Sequence, residues 1–337
     1  MNGKQIIIVT AEDDPHSDDM IHKLHEMGHE PIRLNTNDIP SNTTMSFSLG
    51  SSAWEGSIKI KTNGRVINIA HIRSVWWRRP GNFPLPSDLS EQEREFAKGE
   101  IEQTFDGLWS SIDCYWVSFP PNIRQAGYKM EQLKRAAQLG FEVPRTLITT
   151  NPEEVRFFHE TCKGQVIYKV MTDPFLAMGK VTTNDNSPEF TPRSTFATLI
   201  TDSELAMADS VKLVPCLFQE YIPKQIELRV TVIGDEIFAA EIHSQAHEKT
   251  SVDWRHYEVE IPYRKANLPM DIAERCLELV RSYNLNFSAM DLILTPDGRY
   301  IFLENNPNGQ FMFVEQKVPE LRMTEALASC LIRGSNS

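Results

Sequence analysis

The stretch that most constrains this 337-residue chain lies near its end and reads Asp291-Leu-Ile-Leu-Thr-Pro-Asp-Gly-Arg-Tyr-Ile-Phe-Leu-Glu304-Asn-Asn306-Pro-Asn-Gly309. Apolar runs at 292–294 and 301–303 flank Thr-Pro-Asp-Gly, a turn signal, so a hairpin of two buried strands is expected. A carboxylate buried in such a hairpin without a partner is costly. Yet Asp291 is expected to open the first strand, and Glu304 and Asn306 to close the second. In an antiparallel pair those ends lie side by side, and Glu304 and Asn306, two apart, point to one face. Two arrangements fit. Three converging oxygen ligands suit Mg²⁺, which keeps several waters and shares its shell with substrate phosphates; or the polar ends are simply solvated.

Composition narrows the classes. The length suits two or three domains, and 41% hydrophobic with 24% charged residues is ordinary for a globular protein with a large core. A net charge of −12 argues against a broad nucleic-acid surface. No apolar run reaches membrane-spanning length, and the polar start Met1-Asn-Gly-Lys is not expected to be a signal peptide. Five scattered cysteines without a Cys-x-x-Cys point to reduced thiols and a cytoplasmic protein.

From the start, residues 6–9 read as a buried parallel strand, 17–27 as a helix stopped by Gly28, and 30–34 as a second strand, a βαβ opening. On that helix His22, His25 and His29 have near-helical spacing; a solvated polar face is the default over a metal site. β-rich runs follow at 45–49, 57–60 and 66–69. The strand Ile72-Arg-Ser-Val-Trp-Trp-Arg-Arg79 ends in paired tryptophans and arginines, which either bind an anion or acidic peptide, or pack and cap a helix end, with the second preferred. A long helix over 88–111 and a strand at 115–118 precede Pro120-Pro121, where a domain boundary is placed.

Beyond it, a helix from 128 ends at Gly140, and a strand at 165–170 carries Lys169 among apolar residues, either snorkelling or neutralising an anion. Residues 172–194 read as a mobile loop. An apolar strand covers 216–222, and 226–233 with 236–243 form a hairpin in which Glu227 and Arg229 share one face, the pattern of a ligand-facing surface. Helices are expected at 270–283 and 319–332.

In this order the features resemble the ATP-grasp ligases: the Lys129 helix with Gly140-Phe-Glu-Val-Pro-Arg-Thr, the Lys169 strand, Gln219-Glu-Tyr-Ile222, Glu227-Leu-Arg229, Asp291 and Glu304-Asn-Asn306. The N-terminal third, with Ile6-Ile-Ile-Val-Thr10, Arg33-Leu-Asn and Val75-Trp-Trp-Arg-Arg79, is similar to the pre-ATP-grasp domain of the microviridin-type, or graspetide, peptide maturases, as is Asp253-Trp-Arg255. The resemblance implies an α/β (α+β) ATP-grasp fold behind a βαβ pre-ATP-grasp domain, divided at 1–123, 124–213 and 214–337. It implies ATP and Mg²⁺ as cofactors, with Lys129 and Lys169 on the phosphates, the backbone of Gln219, Glu220, Tyr221 and Ile222 on adenine, and Glu227 on the ribose. Asp291, Glu304 and Asn306 would hold Mg²⁺, while Arg229 and Arg255 would clamp the reacting carboxylate. No general base is evident. Where many relatives carry a glycine-rich phosphate loop, only Gly179 stands in 174–182.

The implied reaction activates a side-chain carboxylate of a ribosomal precursor peptide, with leader and acidic core, and closes an ester or amide ring. A homodimer is implied as well. The rivals are a ligase adding free amino acids such as glutamate to a protein or small acid, and a non-catalytic nucleotide sensor, which would have no use for the full acid and arginine set.

Overall fold

A computed structural model describes residues 4–334 apart from 173–174, 183–187, 195 and 257; between 173 and 195 it describes backbone alone. The N-terminal part begins β1 (Gln5–Thr10), α1 (Pro15–Glu26), β2 (Ile32–Asn35), and continues through a small antiparallel sheet of β3 (Thr43–Leu49), β4 (Trp54–Ile60) and β5 (Val66–Asn68). Next come β6 (Ile72–Arg79), α2 (Glu91–Ser111) and β7 (Tyr115–Val117), which complete a parallel sheet ordered β2-β1-β6-β7. Strands buried on both faces need apolar residues in succession, and Ile6 to Val9 are all buried. Helix α2 starts at Glu91 rather than 88 because Ser90 and Glu93 form a reciprocal capping box. Its Phe105 and Trp109 pack with Trp77, Trp116 and Phe83 on one face of the sheet.

The doubled proline at 120 does not leave a break but starts a helix, α3 (Pro120–Ala126), where missing amide hydrogens are tolerated. After α4 (Lys129–Gln138), a central sheet is built from β8 (Thr146–Thr149), β9 (Val166–Lys169), β12 (Thr198–Leu199) and β13 (Cys216–Glu220), with α5 (Pro152–Thr161) and α6 (Asp202–Ala206) between them. The segment expected as a mobile loop instead carries the antiparallel strands β10 (Phe175–Thr182) and β11 (Pro188–Ser194). The Gly179 side of the phosphate-loop expectation, as a matter of contacts, lies outside the described residues.

The C-terminal sheet runs β16-β15-β14-β17-β18, from β14 (Ile226–Ile233), β15 (Glu236–Ile242), β16 (Tyr263–Lys265), β17 (Phe287–Leu294) and β18 (Tyr300–Asn306). Helix α7 (Met270–Ser282) covers it with Ile272, Cys276, Leu279 and Val280. Then follow α8 (Met312–Lys317) and α9 (Met323–Arg333). The expected closing helix is interrupted: Arg322 adopts a left-handed φ of 49° between a short 3₁₀ turn and α9. One core joins the two ends of the chain, since Ile6, Ile8, Met20, Leu24 and Trp76 pack with Ile233, Phe311, Leu327 and Leu331. Among the described residues no helix is long and apolar enough to cross a membrane.

Candidate active site

Asp291 does not open its strand, as the apolar run had implied, but sits inside β17, with Phe287 to Met290 before it. It pairs across the ladder with Glu304 on one side and Arg229 on the other. Leu303 is an extra residue in β18, because Asp291 aligns with Glu304 while Leu292 aligns with Phe302. Adjacent strand residues normally face opposite sides; a bulge re-aims one of them. Here it lets Leu303 and Glu304 both line the same cleft.

That cleft lies between the central and C-terminal sheets. Of the candidate residues, Lys169, Gln219, Glu220, Tyr221, Ile222, Glu227, Arg255, Asp291 and Glu304 line it. Lys129 and Arg229 reach it through their ion pairs with Glu304 and Asp291. Asn306 stands behind, its amide 3.1 Å from Asp291 Oδ2, and lines a neighbouring groove with Tyr128 and Asn308.

Arg229 Nη1 donates to both Asp291 oxygens at 2.9 and 3.0 Å, and its Nη2 donates to Gln310 O at 2.8 Å. Glu304 is paired with Lys129. Burial raises its pKa, but Lys129 and Lys169 more than offset this and hold it below the ordinary value. Burial pushes Lys169 down, opposed by Glu304 and aided by Lys129 and Arg255. Arg255 forks onto Asp253 at 2.8 and 2.5 Å, and the Ala197 amide donates to the same carboxylate. Burial alone would raise Asp253; these donors take it to about 2. Glu227 is raised by burial despite a 2.7 Å bond from Lys224.

Lys224 and Asp253 were missed as site residues. Lys224 also donates to Val252 O at 2.9 Å, so it ties the turn after β13 to the segment holding Asp253 and Arg255. Its only sequence signal was a cation three residues before Glu227. The amides of Glu220 and Tyr221 are used by Arg145 O and Gln165 O, which leaves Ile222 N–H without a partner among the described residues. Gln219 Oε1 is likewise buried and unpartnered. Glu220 turns its carboxylate onto Arg145 at 2.9 and 3.1 Å.

The arrangement fits a nucleotide. Ile167, Ile293 and Leu303 give apolar walls for a base, and Ile222 N–H with Gln219 Oε1 offers a donor and an acceptor beside them. Five cations (Lys129, Lys169, Lys224, Arg229, Arg255) meet five acids (Glu220, Glu227, Asp253, Asp291, Glu304), so the charges of the cleft balance although the chain as a whole is acidic. It also fits a hard cation. Asp291 and Glu304 keep 18% and 22% of their side chains exposed, against 7% for Glu227 and 5% for Asp253, while Glu220 is turned onto Arg145, so Asp291 and Glu304 are the carboxylates that present oxygen to the cleft. Among the described residues no cluster of three or more His, Cys, Asp or Glu is placed to hold a metal. Two carboxylates with an amide and water would be the donor set, which suits Mg²⁺ and not a softer metal. His22 and His25 make exposed pairs with Glu26 and Glu30, the solvated face expected of them.

Comparison with known proteins agrees with this fold. Residues 5–124 match the family model of the MvdD pre-ATP grasp domain. Macrocyclase MdnC of Microcystis aeruginosa MRC, solved with precursor peptide MdnA, is 29% identical with a TM-score of 0.83, covering 98% of this chain and 99% of that one. A RiPP-associated ATP-grasp ligase of Chryseobacterium gregarium, solved with ADP and a leader and core peptide, is 28% identical with a TM-score of 0.85, covering 98% and 97%. Macrocyclase MdnB of Microcystis aeruginosa MRC is 28% identical, with a TM-score of 0.77 over 98% and 99%. No curated protein sequence matches. Over nearly its whole length the chain resembles the ATP-grasp ligases of the microviridin-type, or graspetide, peptide maturases.

Proposed function

We propose that the protein uses ATP and Mg²⁺ to phosphorylate a side-chain carboxylate of a ribosomal precursor peptide, and that a Thr or Ser hydroxyl or a Lys amine of the same peptide then displaces phosphate to close a ring. The observation that carries this reading is the meeting of Asp291 and Glu304 with Lys129, Lys169, Arg229 and Arg255 on one cleft with apolar walls. Lys129 and Lys169 neutralise phosphate charge, and Ile222 N–H and Gln219 hold the base. Glu227, fixed by Lys224, faces the ribose. Asp291, Glu304 and Asn306 would hold the metal, which would supply charge neutralisation to the transferring phosphoryl group. Arg229 and Arg255 orient the carboxylate; each has part of its fork engaged, on Asp291 and Asp253, so each is preorganised rather than free to swing.

Similarity over nearly the whole chain to MdnC and to the Chryseobacterium ligase, both solved with peptides, supports a peptide substrate with leader and core. The test incubates the enzyme with ATP, Mg²⁺ and a Thr- and Glu/Asp-rich precursor peptide encoded beside its gene, then weighs the product. Loss of one water and release of one ADP per ring is the expected outcome. A mass gain would instead establish an amino-acid ligase.

A further inference from the structure

Arg78 belongs to the Trp-Trp-Arg-Arg segment, yet it neither meets solvent nor caps a helix end. Its side chain is 1% exposed, at the end of β6, and it reaches out of the N-terminal sheet into the loop that follows β18. Nη1 donates to Asn308 O at 2.9 Å, and the Asn308 amide donates back to Arg78 O. On the other side Nε lies 3.6 Å from Asp14 Oδ2, an acid held by Thr10 at 2.9 Å and Ser17 at 2.5 Å. Burying a guanidinium with Nε and Nη2 lacking hydrogen-bond partners is expensive, and burial lowers its pKa to about 10. Such an expense calls for a return elsewhere in the molecule.

The loop held by Arg78 supplies that return. It begins at Asn306, bonded to Asp291, and reaches Gln310, whose carbonyl accepts from Arg229 Nη2. Between them Gly309 lies so close to Arg229 that a Cβ would stand 2.8 Å from Nη2. Any slip of residues 306–310 therefore moves both Arg229 and Asn306 against Asp291. We infer that Arg78 is a positioning residue that sets the metal-binding geometry of Asp291 and Asn306 from the N-terminal domain, through the 306–310 loop. The inference rests on the metal assignment proposed above.

Calorimetric titration with ADP, in EDTA and at rising Mg²⁺, separates the two. Arg78→Lys keeps a charge beside Asp14 but cannot also hold Asn308. Asn308→Ala loosens the same link from the partly exposed loop, without touching the buried charge. In both, ADP affinity in EDTA should match the wild-type protein, while the gain in affinity produced by Mg²⁺ falls about tenfold, the usual scale for losing a group that orients metal ligands. A role confined to stability would lower the melting temperature and leave the Mg²⁺ gain intact, and that result in either folded variant overturns the inference. Absence of any Mg²⁺ gain in the wild-type protein overturns the metal assignment first, and this inference with it.

Discussion

Single residues in this cleft are legible as charge balances. Lys169 is half-buried and its pKa is depressed, so its charge is retained at a cost that Glu304 partly offsets. Lys169→Met keeps the aliphatic stem and removes that cost, so little stability should be lost. Nucleotide affinity should fall by about ten- to over a hundredfold, as a charge-assisted contact of roughly 1.5–3 kcal/mol requires; ADP titration beside a melting curve checks both. Lys224 behaves in the opposite way. Its pair with Glu227 is buried on both sides, 5% and 7% exposed, so Lys224→Met strands a carboxylate and should cost about 3–5 kcal/mol near neutral pH. Glu227 is already raised above its ordinary 4.5 in the folded state, and the variant raises it further. The folded form then binds more protons than the unfolded one above pH 4.5, so stability falls as pH rises. Denaturation of Lys224→Met should therefore approach wild-type stability toward pH 4.5 and separate from it on the alkaline side. A gap of constant size across pH would show that Glu227 does not feel Lys224.

At the scale of elements, hydrophobic patterning exposed the strands and the residue types of the site, but not how the strands are offset. The run at 292–294 looked like a whole strand because Phe287-Ser-Ala-Met290 carries no alternation that marks it as part of β17, where it lies buried on both faces. Asp291 was therefore placed at an end, although its meeting with Glu304 and Asn306 came out the same. The bulge at Leu303 has no sequence mark, since it arises from how β17 and β18 pair. Lys224 escaped notice for a related reason: only the fold turns residues 221–225 back onto Glu227. The segment 172–194 read as loop because Pro174, Pro188 and Pro192 suppress a strand signal, which hairpin pairing overrides. Gly309 is where an element's tolerance can be measured. A methyl there would stand 2.8 Å from Arg229 Nη2, 2.9 Å from the Ala289 Cβ and 3.0 Å from the Asn306 Cβ. Ala289 is fully buried in β17 and cannot give way. Gly309→Ala should cost about 1–3 kcal/mol of stability by overpacking, and should reduce ATP turnover out of proportion to that loss; wild-type turnover in the folded variant would show that the loop moves independently of Arg229.

For the whole molecule, the contrast between a net charge of −12 and a cleft whose cations and acids balance governs how an acidic peptide arrives. At low salt, with a Debye length of about 30 Å at 0.01 M, the peptide meets the repulsion of the entire surface; at about 8 Å in 0.15 M, it meets only its local surroundings. The association rate of an acidic core peptide should accordingly rise with ionic strength, the reverse of ordinary electrostatic steering. Stopped-flow binding across a salt series measures it, and a rate falling with salt would require a basic track on the surface. The N-terminal part is also tied to the rest by more than the chain. The Ser118 hydroxyl accepts the amides of Asn286 and Phe287 at 3.0 and 3.2 Å, the Ser74 hydroxyl donates to Leu331 O at 2.7 Å, and α1 and β6 share a core with α9. Exchange of this part between related ligases, as a way of re-addressing them to new peptides, therefore has an unusual splice. A graft cut at the linear boundary near residue 123 would carry one half of each seam, whereas a viable chimera must transplant α9 along with it, taking both ends of the chain from the same parent.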